Sequence, residues 1–429
     1  MAESFPAEKM AKVCPEELAE NGPAEKMARI CPEEEVTESF PEKKMARVCP
    51  EEEVTESSTA EKKMPKADCT RTLIIGATGF IGGFIAEACL ASSRPTYILV
   101  RPGSNSPSKA KAIRALQDKG AIILHGSIGD QNLMEKILKE HKIDVVISAI
   151  GGDKILAQLT LIDAMKSVGT IKRFLPSEFG HDIDRADPVE PGLTLYNVKR
   201  RVRRMTEAAS IPFTYICCNS IAAWPYYNNT HPSEVLPPLD HFQIYGDGTV
   251  KAYFVTGADI GKFTIKTVDD IRTLNKSVHF RPPCNRLNIN ELACLWERKI
   301  GRTLPRVTIT ENDLLAAAEE NCIPSSIVAS LTHDIFIKGC QINFSIDGPN
   351  EVEVTSLFPD IPFQTVDECF DEFVVKAVGE EEGVEQQQQP VSNGEMGKTN
   401  SIVESLSSED GLSKKNPLVE PLAIAATCA

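Results

Sequence analysis

Short apolar runs alternate with longer stretches of helical periodicity between residues 69 and 218. The apolar runs are nearly continuous, as from Val145 to Ile150, which is typical of parallel strands covered on both faces. This alternation predicts an α/β fold, a doubly wound parallel sheet of the Rossmann type with helices on both sides. The predicted strands are residues 72–75, 96–100, 121–124, 144–148, 173–175 and 213–216, and the predicted helices are about residues 80–91, 108–119, 130–140, 154–168 and 196–209.

The regular alternation stops at Asn219, where prolines and a glycine-rich turn at residues 245–248 follow. We therefore expect residues 69–218 to form the first domain and residues 219–378 to form mainly a smaller, mixed α/β lobe. The helices predicted in this lobe are about residues 288–300, 311–320, 325–338 and 365–377.

The two ends of the 429-residue chain differ from its centre in composition. Residues 1–68 repeat a proline-punctuated acidic unit about every 17 or 18 residues, and residues 379–429 are of low complexity. Both segments contain too few large apolar residues to form a core, so we expect them to be disordered extensions. They also carry most of the net charge of −15, so the centre of the chain is nearly neutral. Nothing in its composition indicates a basic surface that binds nucleic acid.

Composition also bears on location and on metal binding. No apolar run reaches the ~18 residues of a membrane span, and the acidic N-terminus lacks the apolar segment of a secretory signal. We expect a cytoplasmic protein without a membrane span. The 13 cysteines are scattered and include no C-x-x-C pair, which argues against a disulfide framework and against a zinc site.

A glycine-rich turn follows the first predicted strand. Its residues are Gly76, Ala77, Thr78, Gly79, Phe80, Ile81 and Gly82. Glycines between a strand and a helix let the backbone approach a pyrophosphate, which then lies at the positive helix N-terminus. The spacing G-x-x-G-x-x-G matches the common dinucleotide fingerprint only loosely, and a plain glycine turn is the alternative.

Two cations near the end of the second predicted strand indicate the type of dinucleotide. Arg101 stands where an NAD site usually has an acidic residue, and an arginine there favours the 2′-phosphate of NADP. Lys109 begins the next predicted helix and could join Arg101 on that phosphate, although a surface lysine is the simpler interpretation. The sequence therefore predicts an NADP(H)-binding domain over residues 69–218.

Candidate catalytic groups follow the fifth predicted strand. His181 lies in the loop after residues 173–175, at the strand end where ligands bind in such sheets, and a packing role is equally open. Tyr196 and Lys199 then open a helix. In short-chain dehydrogenases the catalytic tyrosine and lysine are four positions apart, whereas here they are three apart.

The shorter spacing makes Lys199 itself the expected acid/base group. Its arginine neighbours and the positive ring of an oxidised nicotinamide would disfavour the charged amine. Arg203 lies one helical turn further along and is expected to reach the cofactor. A solvated basic helix face is the alternative, which we prefer for Arg200, Arg201 and Arg204.

Residues from about 70 to 377 resemble the plant isoflavone reductase-like group of atypical short-chain dehydrogenases. Three motifs carry the resemblance, namely residues 173–182 (RFLPSEFGHD), 216–219 (ICCN) and 332–334 (THD). Within the group, they resemble the enzymes that reduce leucoanthocyanidins. The extension past residue 377 suits these enzymes, whereas the N-terminal repeats do not belong to the pattern. His333 of the third motif has no evident chemical role, and we expect it to pack.

The resemblance implies reduction of flavan-3,4-diols such as leucocyanidin to 2,3-trans-flavan-3-ols such as (+)-catechin, with NADPH as cofactor. It also implies roles for individual residues. Lys199 would accept the proton of a ring phenol, and His181 would donate a proton to the departing C4 hydroxyl. Arg101, Lys109 and Arg203 would bind NADPH.

Two alternatives remain open at this point. One is the same chemistry on another phenylpropanoid, such as an isoflavone, a lignan or a benzylic ether, since pocket shape decides the substrate. The other is a non-catalytic NADP sensor, which would keep the glycine turn but lose the acid/base lysine. The oligomeric state is not predicted.

Overall fold

The computed structural model of the protein describes residues 70–103, 106–222 and 239–375. The predicted disordered extensions therefore lie outside the described residues. No helix within the described ranges is both long enough and apolar enough to cross a lipid bilayer. The cytoplasmic location stays a prediction.

A five-stranded parallel sheet forms the centre of the N-terminal part. Its order is β3-β2-β1-β4-β5, with Thr72 opposite Thr96 on one side and Val145 on the other. This order, with β1 central and crossovers to both sides, is the predicted doubly wound arrangement, so the Rossmann-type fold is confirmed. The strands are β1 (Thr72–Ile75), β2 (Thr96–Val100), β3 (Ile122–His125), β4 (Val145–Ser148) and β5 (Arg173–Leu175).

Three more parallel strands continue from this sheet. Phe174 in β5 forms a single parallel bridge with Phe213, which directly precedes β6 (Thr214–Cys217). Strand β6 pairs with β10 (Lys276–His279), which in turn pairs with β13 (Glu351–Glu353). The chain after residue 218 thus returns to extend the layer that begins with β1, and the division at residue 218 stays a prediction.

The remaining strands form two small sheets. Strands β7 (Ser220–Ile221), β9 (Ala252–Val255) and β11 (Arg286–Leu287) make one, and β8 (Phe242–Tyr245) with β12 (Arg306–Ile309) makes the other. The helices are α1 (Phe80–Ala91), α2 (Pro107–Asp118), α3 (Gln131–Glu140), α4 (Gln158–Val168), α5 (Gly192–Ala208), α6 (Gly257–Asp269), α7 (Ile289–Ile300), α8 (Glu311–Glu319), α9 (Ser325–Phe336) and α10 (Val354–Leu357), and residues 366–375 are also helical.

Local sequence explains where several helices begin and how closely two of them pack. Asn288 and Thr310 cap α7 and α8 in reciprocal capping boxes with Glu291 and Asp313. Helix α6 lies directly on α1, because a Cβ at Gly261 would stand only 2.4 Å from the backbone oxygen of Phe84. Helix α6 therefore covers α1, and glycine at position 261 allows this close contact.

Candidate active site

The glycine turn between β1 and α1 has no room for side chains. A Cβ on Gly76, which has φ of +87°, would lie 2.2 Å from the carbonyl oxygen of Ala149, and one on Gly82 would lie 2.1 Å from that of Gly76. The Gly79 amide donates to the Gly76 carbonyl at 2.9 Å and closes the turn. Strand β4 and helix α1 thus approach the turn closely from both sides.

The N-terminus of α1 has the form of an anion site. Gly79 stands at the N-cap, and no described side chain caps the first turn, which also contains no acidic residue. The predicted residues Ala77, Thr78, Phe80 and Ile81 fill the rest of the turn and the start of the helix. Exposed amides and the helix dipole suit a pyrophosphate.

Arg101 and Lys109 lie on the surface, as expected for groups that meet a ligand phosphate. Arg101 directly follows β2, and Lys109 lies in the first turn of α2, where Ser106 caps its backbone amide at 3.4 Å. Their contact with a cofactor stays a prediction.

Lys199 is buried, with 1% of its surface exposed. Its amine donates to the backbone carbonyl of Glu178 at 2.8 Å, which ties α5 to the loop after β5. Tyr196, one turn earlier, points to a different partner, because its hydroxyl lies against Nε2 of His181. The structure therefore brings Lys199 and His181 into one buried cluster, at the strand end that the sequence indicated.

His181 is buried as well. Burial, and secondarily the charge of Lys199, lowers its pKa to about 3 despite the opposing effect of Asp182. The imidazole is accordingly neutral near neutral pH. A role for His181 as proton donor, which stays a prediction, then requires a group that can supply it with a proton.

Arg203 has a set of partners inside the protein. Its guanidinium is 1% exposed and bonds to both carboxylate oxygens of Glu178 at 2.9 and 3.0 Å, to Asp182 at 2.8 Å and to Asp184 at 3.1 Å. These contacts fix the loop that carries His181 and the carbonyl that binds Lys199. The contact of Arg203 with the cofactor stays a prediction, and these contacts give the residue a structural role that the sequence did not suggest.

Residues of all three motifs make contacts that link separate elements of the fold. Arg173 of the first motif lies beneath the end of α6, where it donates to the carbonyl of Thr267 at 2.5 Å. In the second motif, the backbone amide of Asn219 donates to the carbonyl of Gly180 at 2.9 Å, which fixes the loop after β5 against the end of β6. In the third, His333 pairs with Glu311 at 2.8 Å.

One residue near His181 was missed. The carboxylate of Asp334 lies 4.0 Å from Nε2 of His181, and both groups are buried. The signal was present in the third motif, where the aspartate follows a histidine. It was overlooked because the proximity of α9 to the loop after β5 depends on packing, which periodicity does not reveal.

A model of the NmrA-like family matches residues 69–370. The chain belongs to the NmrA-like family. Leucoanthocyanidin reductase from Desmodium uncinatum is 64% identical over 316 residues, which cover 74% of this NmrA-like chain and 83% of that protein. A phenylcoumaran benzylic ether reductase from Ginkgo biloba is 47% identical over 71% of this chain and 99% of its own.

Similar solved structures agree with this. The binary complex of leucoanthocyanidin reductase with NADPH from Vitis vinifera is 71% identical, with a TM-score of 0.69, and covers 71% of this chain and 99% of its own. A crystal structure of isoflavone reductase is 39% identical, with a TM-score of 0.65, over 71% and 99% of the two chains. The predicted resemblance to the isoflavone reductase-like group, and within it to leucoanthocyanidin reductase, is confirmed.

Proposed function

We propose that the protein reduces flavan-3,4-diols of the leucocyanidin type to 2,3-trans-flavan-3-ols such as (+)-catechin. The observation that carries the proposal is the buried amine of Lys199, held by the Glu178 carbonyl in the same cluster as His181. A protein that only senses NADP does not require a lysine buried at this strand end, so the arrangement favours an enzyme.

The protein is an NADPH-dependent oxidoreductase, as the sequence predicted. Similarity to leucoanthocyanidin reductase supports the class of reaction, and similarity to its NADPH complex supports the cofactor. The turn fits this cofactor, because glycine at positions 76 and 82 allows a tight turn that any Cβ would block by collision with the backbone. The amides of the turn would hold the pyrophosphate, and Arg101 and Lys109 would hold the 2′-phosphate.

The residues of the chain prepare the substrate for hydride, which NADPH supplies when bound. A benzylic C4 hydroxyl is a poor leaving group. Lys199 takes the proton of a ring phenol, and electrons released into the ring expel the hydroxyl from C4. His181 gives that hydroxyl a proton, so it leaves as water and a quinone methide remains. Lys199 returns its proton to the phenol oxygen once C4 has been reduced.

The nearest alternative is another phenylpropanoid substrate. Relatives named phenylcoumaran benzylic ether reductase and isoflavone reductase are 47% and 39% identical, well below the two leucoanthocyanidin reductases. The difference in identity favours the flavan-3,4-diol. Because pocket shape selects among these substrates, the choice requires a direct test.

The test incubates the full chain and NADPH with separate flavan-3,4-diols, isoflavones, lignans and benzylic ethers, and resolves the products on a chiral column. We expect a 2,3-trans-flavan-3-ol from the flavan-3,4-diol, and little or no product from the other classes. Efficient turnover of an isoflavone, lignan or ether without turnover of the diol would overturn the proposal. The Lys199→Met variant serves as the catalytically inactive control.

A further inference from the structure

Helix α9 carries the third motif into contact with the start of α5. At Gly192, a Cβ would stand 2.3 Å from the side-chain oxygen of Ser330 and 3.2 Å from Leu331, so only glycine allows this approach. One turn further along α9, Asp334 is brought toward the loop after β5. The position of Asp334 therefore follows from close packing of the two helices.

The carboxylate of Asp334 is 2% exposed, and its Oδ2 atom has no hydrogen-bond partner among the described residues. A buried carboxylate oxygen without a donor is costly, since water no longer solvates it. Burial raises the pKa of Asp334, against a smaller opposing effect of a hydrogen bond from Cys340 and the charge of Lys338. A backbone hydrogen bond from Asp187 also lowers the pKa of Asp334, and the charge of the Asp187 carboxylate raises it by less.

His181 stands opposite this carboxylate. The distance from its Nε2 to Oδ2 of Asp334 is 4.0 Å, and the same nitrogen touches the hydroxyl of Tyr196. The charged groups that face the imidazole are Lys199 on α5 and Asp182 in its own loop. Burial thus disfavours the charged form of both groups, because it lowers the pKa of the imidazole and raises that of the carboxyl, and the two side chains face each other across 4.0 Å.

We propose that Asp334 is a positioning residue for His181, which orients the imidazole and replaces the proton that His181 gives to the departing hydroxyl. This inference rests on the proposed reduction of a C4 hydroxyl. At 4.0 Å the two groups are beyond hydrogen-bond distance, so proton transfer between them requires the ring to rotate or the loop to shift.

The proton balance of the step is complete. The C4–O bond breaks with its electron pair on oxygen, and that oxygen takes a proton from one ring nitrogen of His181 and leaves as water. In the same step the Asp334 carboxyl delivers its proton to the other ring nitrogen, so the imidazole stays neutral and Asp334 becomes a carboxylate. Solvent then reprotonates Asp334 before the next turnover, which accounts for the one proton that the overall reduction consumes.

The test compares Asp334→Asn with Glu311→Gln in the full chain. Both variants change a carboxylate to an amide beside a histidine, but Glu311 contacts His333, away from His181. We expect Asp334→Asn to lower kcat on the flavan-3,4-diol at least ~10-fold and to move the basic limb of its pH profile toward lower pH. Glu311→Gln should leave both unchanged, and NADPH affinity should be unchanged in both variants.

A second measurement uses no substrate. Nuclear magnetic resonance of 15N-labelled histidine should show the ring nitrogens of His181 responding to the ionisation of Asp334, and Asp334→Asn should abolish that response. An unchanged kcat and pH profile in Asp334→Asn, or a His181 signal indifferent to the substitution, would overturn the inference. If the wild type does not reduce the diol, the proposed function fails, while the resonance experiment still decides whether the pair shares a proton.

Discussion

At the residue scale, position along the chain predicted that Lys199 and His181 lie at the same strand end, and the structure places both in one buried cluster. Both follow β5, and ligands of open parallel sheets bind at strand carboxyl ends. The short spacing of Tyr196 and Lys199 led to the lysine, and the structure gives the two side chains different partners. The neutral state of His181 and the internal ion pairs of Arg203 could not be predicted, because both depend on burial by distant segments.

Replacing Lys199 tests its role as the acid/base group. Lys199→Met keeps most of the length of the buried side chain but cannot exchange a proton, so kcat should fall at least ~100-fold. NADPH affinity, measured by fluorescence titration, should stay within about twofold of wild type. Arg201→Met is the matched control, since Arg201 is an exposed cation on the same helix and its loss should leave kcat unchanged. Turnover retained in Lys199→Met would remove the proposed base.

The preference for NADPH tests Arg101. Because a charge-assisted bond to a phosphate contributes about 1.5–3 kcal/mol, Arg101→Ser should weaken NADPH binding ~10-fold or more and leave NADH binding almost unchanged. Arg114→Ser, at an exposed arginine of α2, should not alter the ratio of the two affinities. Equal affinity of the wild type for both cofactors would contradict the assignment of Arg101.

At the scale of elements, the sequence predicted the strands of the central sheet and the helices between them to within a few residues. Strand β1, strand β2 and helix α1 have the predicted bounds. Helix α5 begins at Gly192, one turn before the predicted start at residue 196. The prediction missed this turn because its residues do not show a clear helical pattern of apolar positions. Strands β10 and β13 were not predicted, because β10 pairs with β6 and β13 with β10, and these pairings join segments far apart in the chain.

Substitutions at two adjacent glycines of α1, Gly82 and Gly83, distinguish the close contact with the glycine turn from the helix propensity of the residue. A Cβ at Gly82 would stand 2.1 Å from a backbone oxygen, whereas one at Gly83 would stand 3.7 Å from its nearest neighbour. Gly82→Ala should cost about 1–3 kcal/mol of stability and weaken NADPH binding. Gly83→Ala should be neutral or should stabilise the fold by up to ~1 kcal/mol, because alanine is the better helix former.

Urea unfolding and cofactor titration of both variants measure these effects. Equal stability and equal NADPH affinity in the two variants would contradict the assigned close contact between the turn and α1.

At the scale of the whole molecule, the sequence predicted the Rossmann-type fold but not how the later chain completes it. Helix α6 covers α1, and β10 and β13 extend the layer of parallel strands. This arrangement depends on a glycine at the contact of α6 with α1 and on pairing between strands that are far apart in the chain. Hydrophobic periodicity predicts neither of these. The substrate and its stereochemistry also lie beyond sequence patterns, since they depend on pocket shape.

Deleting residues 1–68 tests whether the repeats contribute to the reaction. The family model begins at residue 69, and the clusters of buried residues lie C-terminal to it. We expect the shortened chain to keep the thermal midpoint and the kcat of the full chain. Loss of folding or of turnover would show that the repeats are part of the catalytic unit.

The most direct test of the central claim follows the hydride itself. The full chain is incubated with leucocyanidin and NADPH deuterated at C4 of the nicotinamide, with each epimer used in turn, and the product is analysed by mass spectrometry and nuclear magnetic resonance. We predict (+)-catechin with one deuterium at C4 from one of the two epimers. Absence of a flavan-3-ol, or a flavan-3-ol without deuterium at C4 from either epimer, would contradict the account.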